Sequence, residues 1–354
     1  MSHGVELVAI AARTPVGLCA EASAAAVRAR VSRVAEYPFV ARGGELIRCG
    51  ADALIDRLLQ GRARMQPLGR SVTDELASKL AGSKPYSGPC RLRIELPEPR
   101  PGFLKGDADW VANAIVAGMR ANFPALRVDV AQRGHAGAAM AIDAARAEAS
   151  VSDEMLQLVI GVDSHHHPET FEWLERQRLL AGGDVRSGCF PGEAAAGLAF
   201  AHPRLRQRLG LPALAVLTGV GTASESRGRD SETGTFGEGM GTALGRALAG
   251  STFPEDAIDA VYLDINGERY RSEEWGFVAM RHSYALRSVD YTAPADAWGD
   301  VGAASVPLLM ILAARSWSRG YAPGPRAVVM CGSYSGLRGV IALEQPQAGE
   351  RRGR

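Results

Sequence analysis

The densest run of chemically capable side chains is His165, His166 and His167, with Asp163 and Glu169 beside them. Three adjacent imidazoles suggest a metal site. On an extended chain, however, consecutive side chains point to alternate sides, so at most two converge. The separated spacing of zinc sites, such as two histidines one helical turn apart, is missing. The run is therefore read as a loop at a subunit interface or a pocket mouth, and no metal is expected. Thr233-Gly234-Thr235-Phe236-Gly237-Glu238-Gly239-Met240-Gly241 carries glycines like those of a dinucleotide-binding loop. No clear strand precedes it and no acidic residue follows at the required distance, so no nucleotide cofactor is expected. Ser224, Ser226, Ser333 and Ser335 offer hydroxyls, but none stands in a Gly-x-Ser-x-Gly elbow. Arg62, Arg64, Arg70, Arg91 and Lys105 could form a basic patch attractive to a phosphopantetheine group or an acyl carrier protein. A solvated face is the commoner fate of such charges.

The chain that must position these groups has 354 residues and a formal net charge of +1. That balance gives no reason to expect nucleic-acid or membrane-surface binding. No apolar run approaches the ~20 residues that span a bilayer. Cys19, Cys49, Cys90, Cys189 and Cys331 are dispersed and odd in number, which reads as reduced thiols in a cytoplasm. Apolar patterning predicts strands at 5–12, 90–96, 126–131, 156–162, 194–201, 214–219, 260–265, 326–331 and 339–343. It predicts helices at 21–34, 51–58, 72–80, 110–122, 134–149, 239–248 and 302–316. Short buried strands alternating with helices mean a layered α/β fold. The polar, basic segment 346–354 is expected to be a disordered tail.

Seven segments, in order, resemble landmarks of the thiolase and β-ketoacyl-acyl-carrier-protein synthase superfamily. Val8 to Gly17, with Arg13-Thr14-Pro15, is similar to the thiolase opening strand and its turn. Ala131 to Ala145 resembles the elbow that carries the family nucleophile, and Val159 to Ser164 the strand after it. Pro191-Gly192-Glu193-Ala194-Ala195-Ala196 resembles a ketosynthase motif, and Leu263 to Gly267 stands where the first assisting histidine is expected. Gly299-Asp300-Val301-Gly302-Ala303-Ala304-Ser305-Val306-Pro307 and Cys331 to Gly339 resemble two later landmarks. The resemblance implies a thiolase-like five-layer αβαβα fold of two similar halves. These would be 1–205, with an unmatched stretch at 38–106, and 206–345. It also implies a homodimer, with strand 156–162 pairing across the two-fold axis.

The resemblance further implies which positions do the chemistry. A family condensing enzyme uses a cysteine thiolate at a helix N-terminus, assisted by His/His or His/Asn. Counted from Asp129 the cysteine position holds Gly134, and counted from Gly137 it holds His135. The two assisting positions hold Asn266 and Asp300. Asn266-Gly267 also reads as a turn, and Asp300 as a helix N-cap. A histidine at the elbow would be favoured as neutral by the helix dipole. A carboxylate at position 300 opposes an enolate or thioester oxyanion unless burial keeps it protonated. With no thiolate there is no acyl-enzyme. The expectation is a non-condensing accessory or scaffold protein that keeps a vestigial acyl or small-ligand pocket. Its protein partner would be an effector, an adaptor or an acyl carrier protein, and similar degenerate proteins accompany type VI secretion effectors. The alternative is an atypical acyltransferase or 3-oxoacyl synthase that acts on coenzyme A or carrier-protein thioesters.

Overall fold

A computed structural model of the chain describes residues 4–81, 86–183 and 185–347. The segment 348–354, most of the expected tail, lies outside the described residues. The chain opens with β1 (Val5–Arg13), α1 (Ala20–Arg28), β2 (Val34–Val40), β3 (Leu46–Gly50), α2 (Arg62–Ala81), β4 (Cys90–Leu96) and α3 (Lys105–Arg120). It continues with β5 (Leu126–Gln132), α4 (Gly137–Val151), β6 (Leu156–Ser164), α5 (Pro168–Arg176), β7 (Glu193–Ala201) and α6 (Pro203–Leu209). The remainder is β8 (Ala215–Ser224), α7 (Glu238–Ala247), β9 (Ala260–Leu263), α8 (Arg269–Arg281), α9 (Ala295–Trp298), α10 (Ser305–Ser318), β10 (Arg326–Gly332) and β11 (Leu337–Glu344). No described helix is long and apolar enough to cross a membrane.

Nine strands hydrogen-bond in the order β5-β4-β6-β7-β1-β8-β11-β10-β9. A short β1–β8 ladder, Val5 to Leu7 against Ala215 to Leu217, joins two sets with the same internal logic. In one set β1 and β6 run antiparallel to β7, and β4 runs parallel to β6. In the other, β8 and β10 run antiparallel to β11, and β9 runs parallel to β10. Alternating side chains feed opposite faces. Ile160 packs outward with α2 and α3, whereas Val159 faces inward onto α4 and α10. Val329 joins the same inner core, and Val328 faces α7 and α8 on the far side. The layers therefore run helix, sheet, helix, sheet, helix.

The two central helices begin alike, each after a 3₁₀ turn of Gly-x-Ala, at Gly134–Ala136 and Gly302–Ala304. α10 is buried on almost every side, and α4 buries its Ala138, Ala139, Ala141, Ile142 and Ala145. Small residues let these elements touch. A Cβ on Gly161 of β6 would lie 2.2 Å from the Ala303 carbonyl, so only glycine fits there. Ala139 is fully buried, and a Cβ on the facing Gly339 would lie 2.4 Å from its methyl group. Ala139→Phe is thus expected to cost about 1–3 kcal/mol by overpacking, seen as a lower urea midpoint with an unchanged m-value.

Three expectations change. Strand β6 is interior, bonded to β4 on one side and β7 on the other, so it cannot pair across a two-fold axis. Its apolar run Leu158–Val162 reflects burial on both faces, the signature of an inner strand. The free edge is β5, whereas the outer side of β9 is bridged by Leu286 and Thr292. The helix expected at 51–58 is absent. Asp52 and Asp56 instead accept the backbone N–H groups of Leu54 and Leu58, local bonds that compete with helix formation. The helix expected at 21–34 ends at Arg28, and Val34–Val40 joins the β2–β3 hairpin. The stretch 38–106, for which the sequence resemblance offers no match, supplies β4 to the sheet and α2 to its outer face.

Candidate functional site

Three turns meet where the central helices begin. The first is the elbow between β5 and α4. Ser333, in the β10–β11 turn, holds it by accepting from Ala136 N (2.9 Å) and donating to the Arg133 carbonyl (2.6 Å). Arg133 is tied to Glu95 at the end of β4. Gly134 sits at φ +66°, and His135 follows as a buried side chain. The second turn precedes α10, where Asp300 accepts from Gly302 N at 2.9 Å. The third follows β9, where Asn266 Oδ1 accepts from Glu268 N at 3.1 Å.

Side chains link the turns. His135 Nε2 donates to Asp300 Oδ1 at 2.8 Å. Asn266 Nδ2 donates to Asp300 Oδ2 at 2.6 Å and to Glu268 Oε2 at 3.0 Å. Arg271 Nε donates to the same Glu268 oxygen at 2.9 Å, and its Nη1 reaches Asp264 at 2.6 Å. Tyr334 donates its hydroxyl to Glu268 Oε1 at 3.2 Å and lays its ring edge against His135. His135, Asn266 and Asp300 thus form one chain of contacts. Gly134 contributes only its backbone, so of the two elbow candidates His135 is the one whose side chain enters the cluster.

Burial alone would lower the His135 pKa, but the Asp300 carboxylate outweighs it and the value is raised. Burial would raise Asp300, yet His135 pulls it well below the usual carboxylate range. Both directions, with the 2.8 Å contact, favour imidazolium and carboxylate. This runs against the expectation that the helix dipole favours a neutral elbow histidine, and burial does not raise the Asp300 pKa. In this state His135 is a hydrogen-bond donor rather than a base or nucleophile. Asp300 also keeps the capping role read from the sequence, through Gly302 N.

No protein-family model matches the chain, and no curated protein matches it. Solved structures do. A type II polyketide synthase ketosynthase in complex with its acyl carrier protein superposes with a TM-score of 0.77 at 12% identity, over 98% of this chain and 100% of that one. The ishigamide ketosynthase/chain length factor gives 0.75 at 15% identity, covering 98% and 100%. The ketosynthase from module 6 of the bacillaene synthase of Bacillus subtilis gives 0.75 at 12%, covering 98% and 72%.

The chain has the thiolase-like fold of the ketosynthases.

Within this ketosynthase-like fold, a cleft of about 600 Å³ opens onto the elbow, walled by Pro99, Met140, Trp173, Tyr334 and Leu337 around His135. A Cβ on Gly134 would lie 3.0 Å from Glu98 Oε2 at its rim. A cysteine placed there would be strained at positive φ and would face a carboxylate, which disfavours a thiolate. Two thiols border the cluster. Cys189 is buried, and burial together with Asp300 and Glu268 pushes its pKa well up, so it is not an activated nucleophile. Burial first of all pushes the pKa of Cys331 well up too.

The three histidines separate. His165 faces the Gly192 carbonyl, and His166 meets Cys49 Sγ at 3.2 Å and Ser164. His167 caps α5 through Glu169 N. The first two are buried rather than at a mouth. Burial drives the His166 pKa down to about 4, and that of Cys49 up to about 12, so their contact is thiol to neutral imidazole. The arginines considered for a basic patch do not act together: Arg62 pairs with Asp107 and Arg70 lies near Asp74 on the surface. Arg64 is fully buried against Glu193, and Arg91 is paired with Asp129 and Glu148. Among the described residues, Cys19, Glu21 and Glu75 lie close enough to hold an ion. The Lys79 ammonium already occupies both of those carboxylates, at 3.0 and 2.6 Å.

Glu268, Arg271, Tyr334 and Asp264 were not singled out from the sequence. The run Asn266-Gly267-Glu268-Arg269-Tyr270-Arg271 did carry a signal, a Glu-x-x-Arg pair opening a helix.

Proposed function

We propose that this chain is a non-condensing, ketosynthase-like accessory protein. The observation that carries the reading is the chain from His135 through Asp300 to Asn266 at the elbow. Condensation needs an acyl-accepting thiolate, and the elbow offers an imidazolium instead. It also needs donors aimed at a developing oxyanion, whereas here both Asn266 and His135 direct donors at an ionised Asp300. Treatment with acetyl- and malonyl-thioesters is expected to leave the intact mass unchanged. A stable acyl mass on any elbow residue would sink the reading and favour the atypical acyltransferase, to which the access of the cleft to His135 lends support.

An accessory role calls for a protein partner. The free β5 edge, with Val130 44% exposed and Met140 of the adjacent α4 39% exposed, is the surface proposed for a homodimer. An unpaired edge strand is normally covered. Sedimentation at micromolar concentration is expected to show a dimer, and Val130→Pro, which removes an edge donor, to shift it toward monomer. Similar structures include a ketosynthase in complex with its chain length factor from Xenorhabdus doucetiae. A ketosynthase-like second chain is therefore an alternative occupant of the same edge. An acyl carrier protein, or an effector or adaptor of a type VI secretion system, would have to dock elsewhere.

A further inference from the structure

Strand β5 leaves one edge of the sheet open, and it reads Leu126-Arg127-Val128-Asp129-Val130-Ala131-Gln132. Its two faces differ. Leu126 and Val128 pack outward with α2 and α3, and Val130 shares their face by alternation. Arg127 and Asp129 lie on the inner face, where Asp129 meets Arg91 at 2.7 Å and Arg91 meets Glu148 of α4. The Asp129 side chain is still 48% exposed after that contact. Arg127 is exposed and has no hydrogen-bond or ion-pair partner among the described residues. The backbone is set for pairing as well. Cys90 N donates to the Ala125 carbonyl at 3.4 Å, so Ala125 turns its backbone toward β4. Alternate residues turn the same way. The backbone groups of Leu126, Val128 and Val130 therefore face the open side.

A two-fold axis through such an edge makes the pairing antiparallel, with the same segment on both sides. Side chains that face each other across the pair share a face, so the axis passes through a residue. Centred on Leu126, Arg127 or Ala131, less than half of the seven-residue strand is paired. Centred on Asp129, two carboxylates meet head on and repel. Centred on Val130, Asp129 meets Ala131 and Arg127 meets Arg133, a like charge. Centred on Val128, each Arg127 faces the Asp129 of the other copy, and Leu126 faces Val130. Arg127 and Asp129 are then non-hydrogen-bonded pairs, the kind whose side chains lie closer. Resting on the homodimer reading and deepening it, we propose that the β5 edge recognises a second copy of this chain in the register centred on Val128, with Arg127 of each copy paired to Asp129 of the other. The order Arg-x-Asp complements itself when read antiparallel, which a like partner needs and an unlike one does not. Arg91 and Arg93, the latter 3.9 Å away, already stand beside Asp129. A carboxylate has room for a further donor, because its two oxygens accept at about four sites.

The test is disulfide cross-linking of the full chain. Arg127→Cys and Asp129→Cys are made as separate variants; both positions are exposed, so the fold is expected to hold. Facing residues of a non-hydrogen-bonded pair sit about 4.5 Å apart at Cα, within disulfide reach. Under mild oxidation a mixture of the two variants is expected to give a linked dimer, and neither variant alone should. The mixed dimer also keeps one Arg127–Asp129 pair intact. Wild type, whose free cysteines are buried or half-buried, is the blank. Without oxidation, Arg127→Glu should weaken the dimer at least about tenfold by sedimentation, with an unchanged circular dichroism spectrum. Linking of either variant by itself, no link in the mixture while sedimentation shows a dimer, or an Arg127→Glu dimer as tight as wild type would each overturn the register and leave the homodimer standing. A monomeric wild type would overturn both. The thioester mass measurement is independent of all these results, so the non-condensing reading stands or falls separately.

Discussion

Asp300→Ala is expected to lower the unfolding free energy by about 3–5 kcal/mol, the usual cost of breaking a buried ion pair from one side. Asp300 is 3% exposed and receives His135, Asn266 and Gly302 N. Its removal strands a buried imidazole, an amide and a backbone donor together. The pH dependence has a definite sign. The folded pKa of His135 is raised above 6.5, so its contribution is full below that value and fades as pH climbs through the folded value. The folded pKa of Asp300 is depressed below 3.8, so its contribution is full above that value and is lost as pH falls through the folded value. The pair therefore supports the fold most strongly between about 4 and 6.5. Urea titrations of wild type across pH 5 to 9 should show stability declining on the alkaline side, and Asp300→Asn should flatten that limb. A wild-type curve flat over this range would mean that His135 is neutral in the fold.

Glu193→Ala is expected to be equally severe, at about 3–5 kcal/mol. Glu193 and Arg64 are both fully buried, and the contact is two-pronged, at 2.7 and 2.6 Å. Glu193 also accepts from Asp52 N and from Ser164 Oγ. Four donors, two of them on a guanidinium with no route to solvent, lose their acceptor at once. Arg64→Met alone should be comparably damaging, because it leaves the carboxylate buried. Arg64→Met with Glu193→Leu should recover much of the loss, since an apolar pair needs no desolvated charge. A double variant as unstable as the sum of the singles would show that the two side chains act independently, contrary to the geometry.

The family resemblance marks Pro191-Gly192-Glu193-Ala194-Ala195-Ala196 as a landmark, and in the fold the carboxylate of that motif anchors α2 to β7 through Arg64. From residue pattern alone Arg64 looked like part of a surface patch. One arginine carries no mark of its partner when that partner lies 129 positions away.

Residue pattern was enough to find most strands and the central helices. Their signals are local: runs such as Leu156–Ser164 and small-residue stretches such as Gly137–Val151 declare themselves within a dozen positions. The order of the motifs was enough, too, to put Gly134, His135, Asn266 and Asp300 in one region. What those residues are depends on the folded arrangement. The protonation of His135 depends on a carboxylate 165 positions away, and no spacing rule reports a Coulomb interaction across two turns. Which strand is an edge was equally hidden. β5 alternates apolar residues with Arg127 and Asp129 while β6 is apolar over Leu158–Val162, but only the assembled sheet shows β6 flanked on both sides and β5 left open. The fate of three adjacent histidines was hidden too: two went into the interior and one to a helix cap. In each case the deciding partner is distant along the chain, and proximity in space, not pattern in sequence, sets charge, burial and access.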